Sequence, residues 1–456
     1  MQTYLISSTK KSSGKTIVSI GLTGLANKLG YTVQTFKKGP DFIDPTWLKA
    51  ATKRPCYNLD FNTMSDKEIK AMYANKSSYS DFGLIEGTKG LYDGVAPDGS
   101  DSNAQLAKLL KAEVILVIDC QGTTRGIAPL LLGYKNFDKS INMKRVILNN
   151  VSTSRHESKL LASISNYTDF KVVGSFPSIV DVIDERHLGL VPWFQEKSKN
   201  SILSKIITTT KKSIDYEKLY PNKKKNKKIK KIHGTRVTTK KNKLTIGIAQ
   251  DSSFGFYYQD DLDKIQSYGH RIKKINLLKD KELPGIDGFI IGGGFPEMQA
   301  YELGRNLSMK KSVKNAIENN LPVYAECGGL MYLANEIRFN NEIKKMCNVF
   351  DISIDMNNKP IGRGYTIVKA SSHHPWGLEE KDIYAHEFHY SSVKNNKKKY
   401  KFAFDIKRGY GVNGKNDGFV YKNTLASFTH LRTTESFNWI KYFLDFIERR
   451  NGETNI

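Results

Sequence analysis

Leu321–Leu333 reads LPVYAECGGLMYL. The apolar run closing near Ala325 predicts a buried strand, and Leu330, Met331, Tyr332 and Leu333 open a helical pattern. Between the two stands Cys327, flanked by Glu326 and by the pair Gly328–Gly329. A strand, a sharp turn and a helix with a thiol at the apex has the mechanics of a nucleophile elbow. The two glycines are expected to give the backbone positive φ and to admit a substrate carbonyl. The start of the helix is expected to offer N–H groups and a positive dipole end to a thiolate and an oxyanion. A lone cysteine is otherwise most often an inert core residue; the paired glycines at an elbow weigh against that reading here.

Upstream, Asp287–Ile291 predicts a strand feeding Gly292-Gly293-Gly294-Phe295-Pro296-Glu297. Glycines at a strand end expose N–H groups, so Gly293, Gly294 and Gly328 are candidate oxyanion donors; an ordinary tight turn is the alternative. Downstream lie Ile361–Tyr365 (IGRGY), Ile383–Ser391 (IYAHEFHYS) and Leu425–His430 (LASFTH). The chain has nine histidines, and periodicity alone does not say which of them partners the thiol.

The N-terminal half carries a second chemistry. Tyr4–Ser7 predicts a strand, Ser8–Thr16 reads STKKSSGKT, and Ile17–Lys28 continues as a helix. This is a P-loop in its expected strand-to-helix context, with Thr9 where the first glycine would stand. Ser13, Gly14, Lys15 and Thr16 are the expected ATP-phosphate ligands, Lys15 reaching the β/γ-phosphates and Thr16 binding Mg²⁺. After a strand over Tyr31–Phe36, the stretch Lys37–Pro45 (KKGPDFIDP) holds Asp41 and Asp44, which either help place Mg²⁺ or substrate or simply cap a turn. A strand over Phe82–Glu86 leads into EGTKGLYDG, making Glu86 a candidate Mg²⁺ ligand and Asp93 a weaker one. Val114–Asp119 (VILVID) is the continuous apolar run of a buried parallel strand, with Asp119 closing it in Walker-B style. Strands over Arg145–Asn150 and Val172–Phe176 complete a doubly wound α/β pattern.

The chain has 456 residues, enough for two or three domains. The expected division is 1–196, an ATP-binding domain; 197–243, a helical and lysine-rich linker; and 244–456, a second α/β domain. The net charge of +25 suggests nucleic acid. However, Asn222–Lys243 alone holds 11 Lys/Arg and no acid, and such blocks are ordinarily solvated. Nucleic-acid binding is therefore not expected, while attraction of ATP or a polycarboxylate is. Four irregularly spaced cysteines make neither a disulfide framework nor a metal clip. The N-terminus lacks an apolar leader pattern and no stretch approaches a membrane span, so a reducing cytoplasm is expected.

Together SSGKT, KKGPDFIDP, EGTKGLYDG, GGGFPE, AECGGLMYL, AHEFHYS and SFTH, in this order, resemble the cobyrinic acid a,c-diamide synthase family. The resemblance spans essentially the whole chain. It implies an N-terminal domain similar to dethiobiotin synthetase and a C-terminal class I glutamine amidotransferase-like domain. It further implies ATP, Mg²⁺ and L-glutamine, and a tetrapyrrole polycarboxylate as substrate. Ammonia would pass along a shielded path, and a homodimer is an open possibility. Cys327 matches the glutaminase nucleophile and His430 the histidine that activates it. Ordinary class I enzymes carry Glu two residues after that histidine; here the position is Arg432, so the resemblance implies a Cys–His dyad and leaves the imidazole without an assigned orienting group. The chain also departs at Leu48, where relatives commonly carry His, and at Thr88 and Lys89. Sirohaem-amidating and nickel-sirohydrochlorin-amidating relatives share these motifs. A P-loop regulatory ATPase is the rival from another class, since Lys10 resembles the signature lysine of partitioning ATPases.

Overall fold

The structure is a computed structural model and describes residues 1–178, 185–186, 189–222, 243–378, 380–395 and 398–454. Two compact units divide the chain, Met1–Lys231 and Ile232–Ile456.

In the first unit β1 (Gln2–Ser8), α1 (Lys15–Lys28), β2 (Val33–Lys38), α2 (Ile43–Thr52), β3 (Cys56–Leu59), α3 (Asp66–Ser77), β4 (Phe82–Glu86), α4 (Asn103–Leu110), β5 (Glu113–Asp119), α5 (Ile127–Phe137), β6 (Met143–Val151), α6 (Ser154–Tyr167) and β7 (Lys171–Pro177) alternate along the chain. The seven strands form one sheet, ordered β3-β2-β4-β1-β5-β6-β7, and every ladder is parallel. The run in β5 shows why a parallel strand reads as continuously apolar. Val114, Leu116 and Ile118 enter one core cluster, while Ile115 and Val117 enter the cluster on the opposite face. β3 was not legible in advance: CYNL is short and half polar. A short antiparallel pair, β8 (Glu185–Arg186) and β9 (Gly189–Leu190), follows.

The boundary expected at residue 196 differs from the observed one. Helices α7 (Lys199–Ser213) and α8 (Tyr216–Leu219), which fall in the helical part of the expected linker, pack on the first unit. Ile206 is fully buried with Ile20, Trp47 and Leu48. The Tyr4 hydroxyl donates to the Leu219 carbonyl at 2.6 Å, and the Tyr220 hydroxyl to that of Leu22 at 2.7 Å. Only one narrow side of α7 is apolar, which is why its sequence reads as a linker. The lysine-rich stretch 223–242 lies outside the described residues.

The second unit contains β10 (Thr245–Ala249), β11 (Phe254–Phe256), α9 (Gln259–Ser267), β12 (Arg271–Ile275), β13 (Gly288–Ile291), β14 (Gly293–Gly294), α10 (Ala300–Arg305), α11 (Leu307–Glu318), β15 (Val323–Glu326) and α12 (Gly328–Leu333). There follow β16 (Glu336–Phe339), β17 (Glu342–Lys345), β18 (Ile352–Met356), β19 (Gly362–Ala370), β20 (Asp382–His389), β21 (Ser391–Asn395), β22 (Lys401–Arg408), β23 (Asn416–Tyr421), β24 (Thr424–Ser427) and α13 (Trp439–Thr454). The main sheet runs β12-β10-β13-β15-β24-β23-β22-β19-β20. Its first five strands are parallel and the remaining four join antiparallel. β15 is central, and its alternate residues enter opposite cores: Val323 and Ala325 on one face, Tyr324 on the other. No described helix is long and apolar enough to cross a membrane.

Candidate functional site

At the elbow, β15 ends at Glu326 and α12 begins at Gly328, so Cys327 makes the turn alone. Its φ of 46° and ψ of −96° are strained for a residue with a Cβ. The expectation that the glycines would carry positive φ is corrected: the cysteine carries it, and neither Gly328 nor Gly329 does. The glycines serve close approach instead. A Cβ on Gly329 would stand 2.2 Å from the Ile291 carbonyl oxygen, and one on Gly328 would stand 3.1 Å from Gly294 N. The Gly293–Gly294 strand is thus brought beside the elbow. A Cβ on Gly293 would meet His430 Cε1 at 2.8 Å, so the imidazole packs against bare backbone.

His430 reaches the thiol because β24 lies beside β15. The Cys327 N–H donates to the Ser427 carbonyl at 2.7 Å. Beyond β24, the buried Asp417 carboxylate accepts from the N–H groups of Phe428 and Thr429 at 3.1 and 2.8 Å and fixes the turn. His430 then pairs with His386 of β20, its N–H donating to the His386 carbonyl at 2.8 Å. The two rings stack with centroids 4.8 Å apart. Burial opposes a charge on His430, but hydrogen bonding to Cys327 and Glu326, with the Glu326 charge, raises its pKa to about 10. His386, by contrast, is held well below the usual imidazole range by burial and by the His430 and Arg432 charges.

Arg432, standing where an acid was sought, is 1% exposed. It donates through Nε to Asp260 at 3.1 Å and covers the Tyr258 ring. The carboxylate that does meet the imidazole comes from the other side of the nucleophile: Glu326 Oε2 lies 3.3 Å from His430 Nδ1. An acid directly before an elbow thiol at the end of a buried strand was the signal available for it.

In the first unit Gly14 takes φ 91°, and its missing Cβ leaves room for Asn149, whose Nδ2 donates to the Ser13 carbonyl at 3.1 Å. Lys15 is 8% exposed and donates to Ser8 Oγ at 2.8 Å. Burial, then the neighbouring Lys37 charge, lowers its pKa to about 8. The Thr16 hydroxyl donates to Glu86 Oε1 at 2.6 Å and lies 3.4 Å from Asp44 Oδ2. Lys37, which sequence reasoning left in a loop, ends β2 and is buried among these acids. Its ammonium lies 2.6 Å from Asp44, 3.0 Å from Glu86 and 3.7 Å from Asp41. Burial disfavours that ammonium, but the Asp44 and Glu86 charges outweigh it and raise its pKa. Glu86 is fully buried, and burial with the nearby Asp44 charge pushes its pKa up to about 8.

Asp119 does not join this group. β4 and β5 flank β1 on opposite sides, so the ends of those strands fall on opposite sides of the P-loop. Asp119 faces Lys10 at 3.2 Å and accepts from Asn150 Nδ2 at 2.9 Å. Asp93 instead closes a turn, accepting from the Gly90 N–H at 2.9 Å. Thr88 donates to the Lys38 carbonyl at 2.6 Å, and Leu48 is fully buried in the core beside α1 and α7. Among the described residues no group of three or more His, Cys, Asp or Glu converges as a ready metal cage. A Mg²⁺ shared with ATP needs only one or two carboxylates and a hydroxyl. Glu86 Oε2, buried with no hydrogen-bond partner among the described residues, is the atom a cation would satisfy.

A P-loop on a parallel sheet, joined to an α/β unit with a cysteine elbow and an adjoining imidazole, describes a class: a nucleotide-using enzyme with a glutaminase-type partner unit. Residues 245–437 match the family of CobB/CobQ-like glutamine amidotransferase domains, and residues 2–186 match an AAA domain. The chain is 35% identical over 454 residues to a cobyrinate a,c-diamide synthase of Magnetococcus marinus, covering 98% of this chain and 97% of that one. It is also 35% identical to that of Caldanaerobacter subterraneus over 97% of both chains, and 34% identical to that of Archaeoglobus fulgidus over 94% and 93%. The chain belongs to the cobyrinate a,c-diamide synthase family. It is a carbon–nitrogen ligase that takes its nitrogen from glutamine and uses ATP.

Proposed function

We infer that this ligase amidates the a and c acetate side chains of cobyrinate, in two domains with the division of labour its two sites suggest. The observation that carries the reading is the strained Cys327 elbow with His430 against it, on a chain similar end to end to cobyrinate a,c-diamide synthases.

His430 takes the thiol proton. The thiolate attacks the side-chain amide carbon of glutamine, with the N–H groups of Gly328 and of Gly293–Gly294 facing the oxyanion. The C–N bond breaks, ammonia leaves with the proton held on His430, and water hydrolyses the thioester to glutamate. In the first unit the Ser13–Thr16 loop holds the ATP phosphates. A substrate carboxylate oxygen attacks the γ-phosphorus, the bond to ADP breaks and an acyl phosphate forms, since an unactivated carboxylate is a poor electrophile; Lys15 neutralises the developing charge. Thr16, Glu86 and Asp44 would hold Mg²⁺, which supplies charge neutralisation on the phosphates. Ammonia must reach the acyl phosphate unprotonated to attack its carbonyl carbon, and inorganic phosphate leaves as the amide forms.

Two variants test this, each assayed on cobyrinate with glutamine and with ammonium chloride, reading amidation as mass gain. Cys327→Ala is expected to abolish glutamine-driven product and keep ammonia-driven product near the parental rate. Lys15→Ala is expected to lower both by about 10²-fold or more, in the range of losing one transition-state charge contact. Equal loss of both nitrogen sources in a folded Cys327→Ala, or full ammonia-driven turnover in Lys15→Ala, would overturn the assignment.

A further inference from the structure

We propose that Glu326, the residue immediately before the nucleophile, is the positioning acid of the glutaminase, holding His430 by Nδ1 so that Nε2 is presented to the Cys327 thiol. The inference rests on the glutaminase reading of Cys327 and His430 given above.

The geometry is specific. Glu326 Oε2 lies 3.3 Å from His430 Nδ1. Its other oxygen is anchored twice, accepting from the Tyr324 hydroxyl at 2.6 Å and from the Leu431 N–H at 3.0 Å. Swinging the carboxylate away from the ring would break both anchors in a buried place, where unpaired donors are costly. Tyr324 is fully buried and Glu326 is 6% exposed, so the carboxylate is shielded from competing water. The Leu431 contact also locks the backbone next to the imidazole. The position that an ordinary enzyme of this class would use is closed to an acid: Arg432 is tied to Asp260.

The chemistry follows the logic of an acid that orients an imidazole without itself being protonated. With Nδ1–H donated to Glu326, Nε2 is the nitrogen that takes the thiol proton. The resulting imidazolium, stabilised by the adjacent carboxylate, is the resting form that the raised His430 pKa describes; the same proton leaves with ammonia. The titratable and charged groups around the ring are Glu326 and Cys327 of the elbow, His386 of β20 with Tyr258 on its far side, and Arg432 two residues on.

The alternative is that Glu326 serves only to satisfy the Leu431 N–H and the Tyr324 hydroxyl. Glu326→Gln separates the two, because its amide still offers an acceptor to Leu431 but removes the charge beside His430. In the full-length protein, Glu326→Gln is expected to lower kcat for glutamine hydrolysis by about 10²-fold or more with little change in KM; the comparable acid-to-amide swap in a serine protease costs about 10⁴. Ammonia-driven amidation of cobyrinate should stay within about twofold of the parent, since it needs no ring orientation. Alkylation of Cys327 by iodoacetamide should slow at pH 7 and recover only at higher pH, because less thiolate forms without a stabilised imidazolium. Glu326→Asp should restore part of the rate, and Tyr324→Phe, which keeps the charge but loosens it, should fall between. A parental kcat and alkylation profile in Glu326→Gln would overturn the proposal. So would a loss shared equally by the ammonia-driven reaction in both Glu326→Gln and Glu326→Asp. Cys327→Ala run alongside keeps the two readings apart: an inactive Cys327→Ala with a normal Glu326→Gln overturns only the role of Glu326, whereas an active Cys327→Ala overturns the glutaminase reading itself.

Discussion

His430 shows how far a single residue's behaviour is set by its neighbours. Its folded pKa of about 10 lies above the ordinary 6.5, so the imidazolium contributes stability in full below pH 6.5 and loses it as the pH rises through about 10. The stability difference between the parent and His430→Gln, read by urea unfolding across that range, is expected to shrink steadily with rising pH and to level off above about pH 10. A difference that grew with pH would contradict the assigned pair. The sequence singled out His430 only through its place in the SFTH motif. Glu326 and Lys37 were in plain view and had no reading, because an acid or a lysine is marked as functional by what it touches across the fold. Glu326 meets a ring 104 positions away, and Lys37 meets Glu86 49 positions away.

At the scale of elements, the elbow depends on backbones packed more closely than side chains permit. α12 rests on the end of β13, with no room for a Cβ at Gly329. Gly329→Ala is expected to destabilise the second unit by about 1–3 kcal/mol through overpacking against a carbonyl that cannot yield, and to reduce glutaminase activity with it. Gly285→Ala is the matched control: among the described residues nothing lies within 4 Å of its added Cβ, and it should be nearly neutral. Thermal unfolding of the two variants checks this directly. The strand–turn–helix pattern was legible because apolar runs bounded by glycine report local structure. The antiparallel strands β19, β20, β22 and β23 were not assigned. Buried and partly exposed residues alternate along β19 and much of β20, the pattern of a sheet with one solvated face, and the pairing partners of all four strands are set by tertiary contact.

For the molecule as a whole, the described part of the first unit runs past residue 196, because α7 and α8 complete its core. Ile206, Leu219 and Tyr220 are buried there, at about 1.5–3 kcal/mol for each buried side chain. A fragment of residues 1–222 is therefore expected to melt cooperatively and well above a fragment of residues 1–196; equal melting temperatures would show the two helices to be dispensable. What the sequence determined by itself was everything carried by short-range order. That comprises two α/β patterns, a phosphate loop between strand and helix, a thiol at a glycine-flanked turn, and the ordered motifs that place the chain in its family. What only the tertiary structure decided was which charges meet. Strand order in the first sheet puts Glu86 and Asp119 on opposite sides of the P-loop, and the pairing of β15 with β24 carries His430 to Glu326 and Cys327. Periodicity is a property of neighbours along the chain, whereas electrostatic contact depends on distance through the fold, and that distance is set only when the sheets assemble.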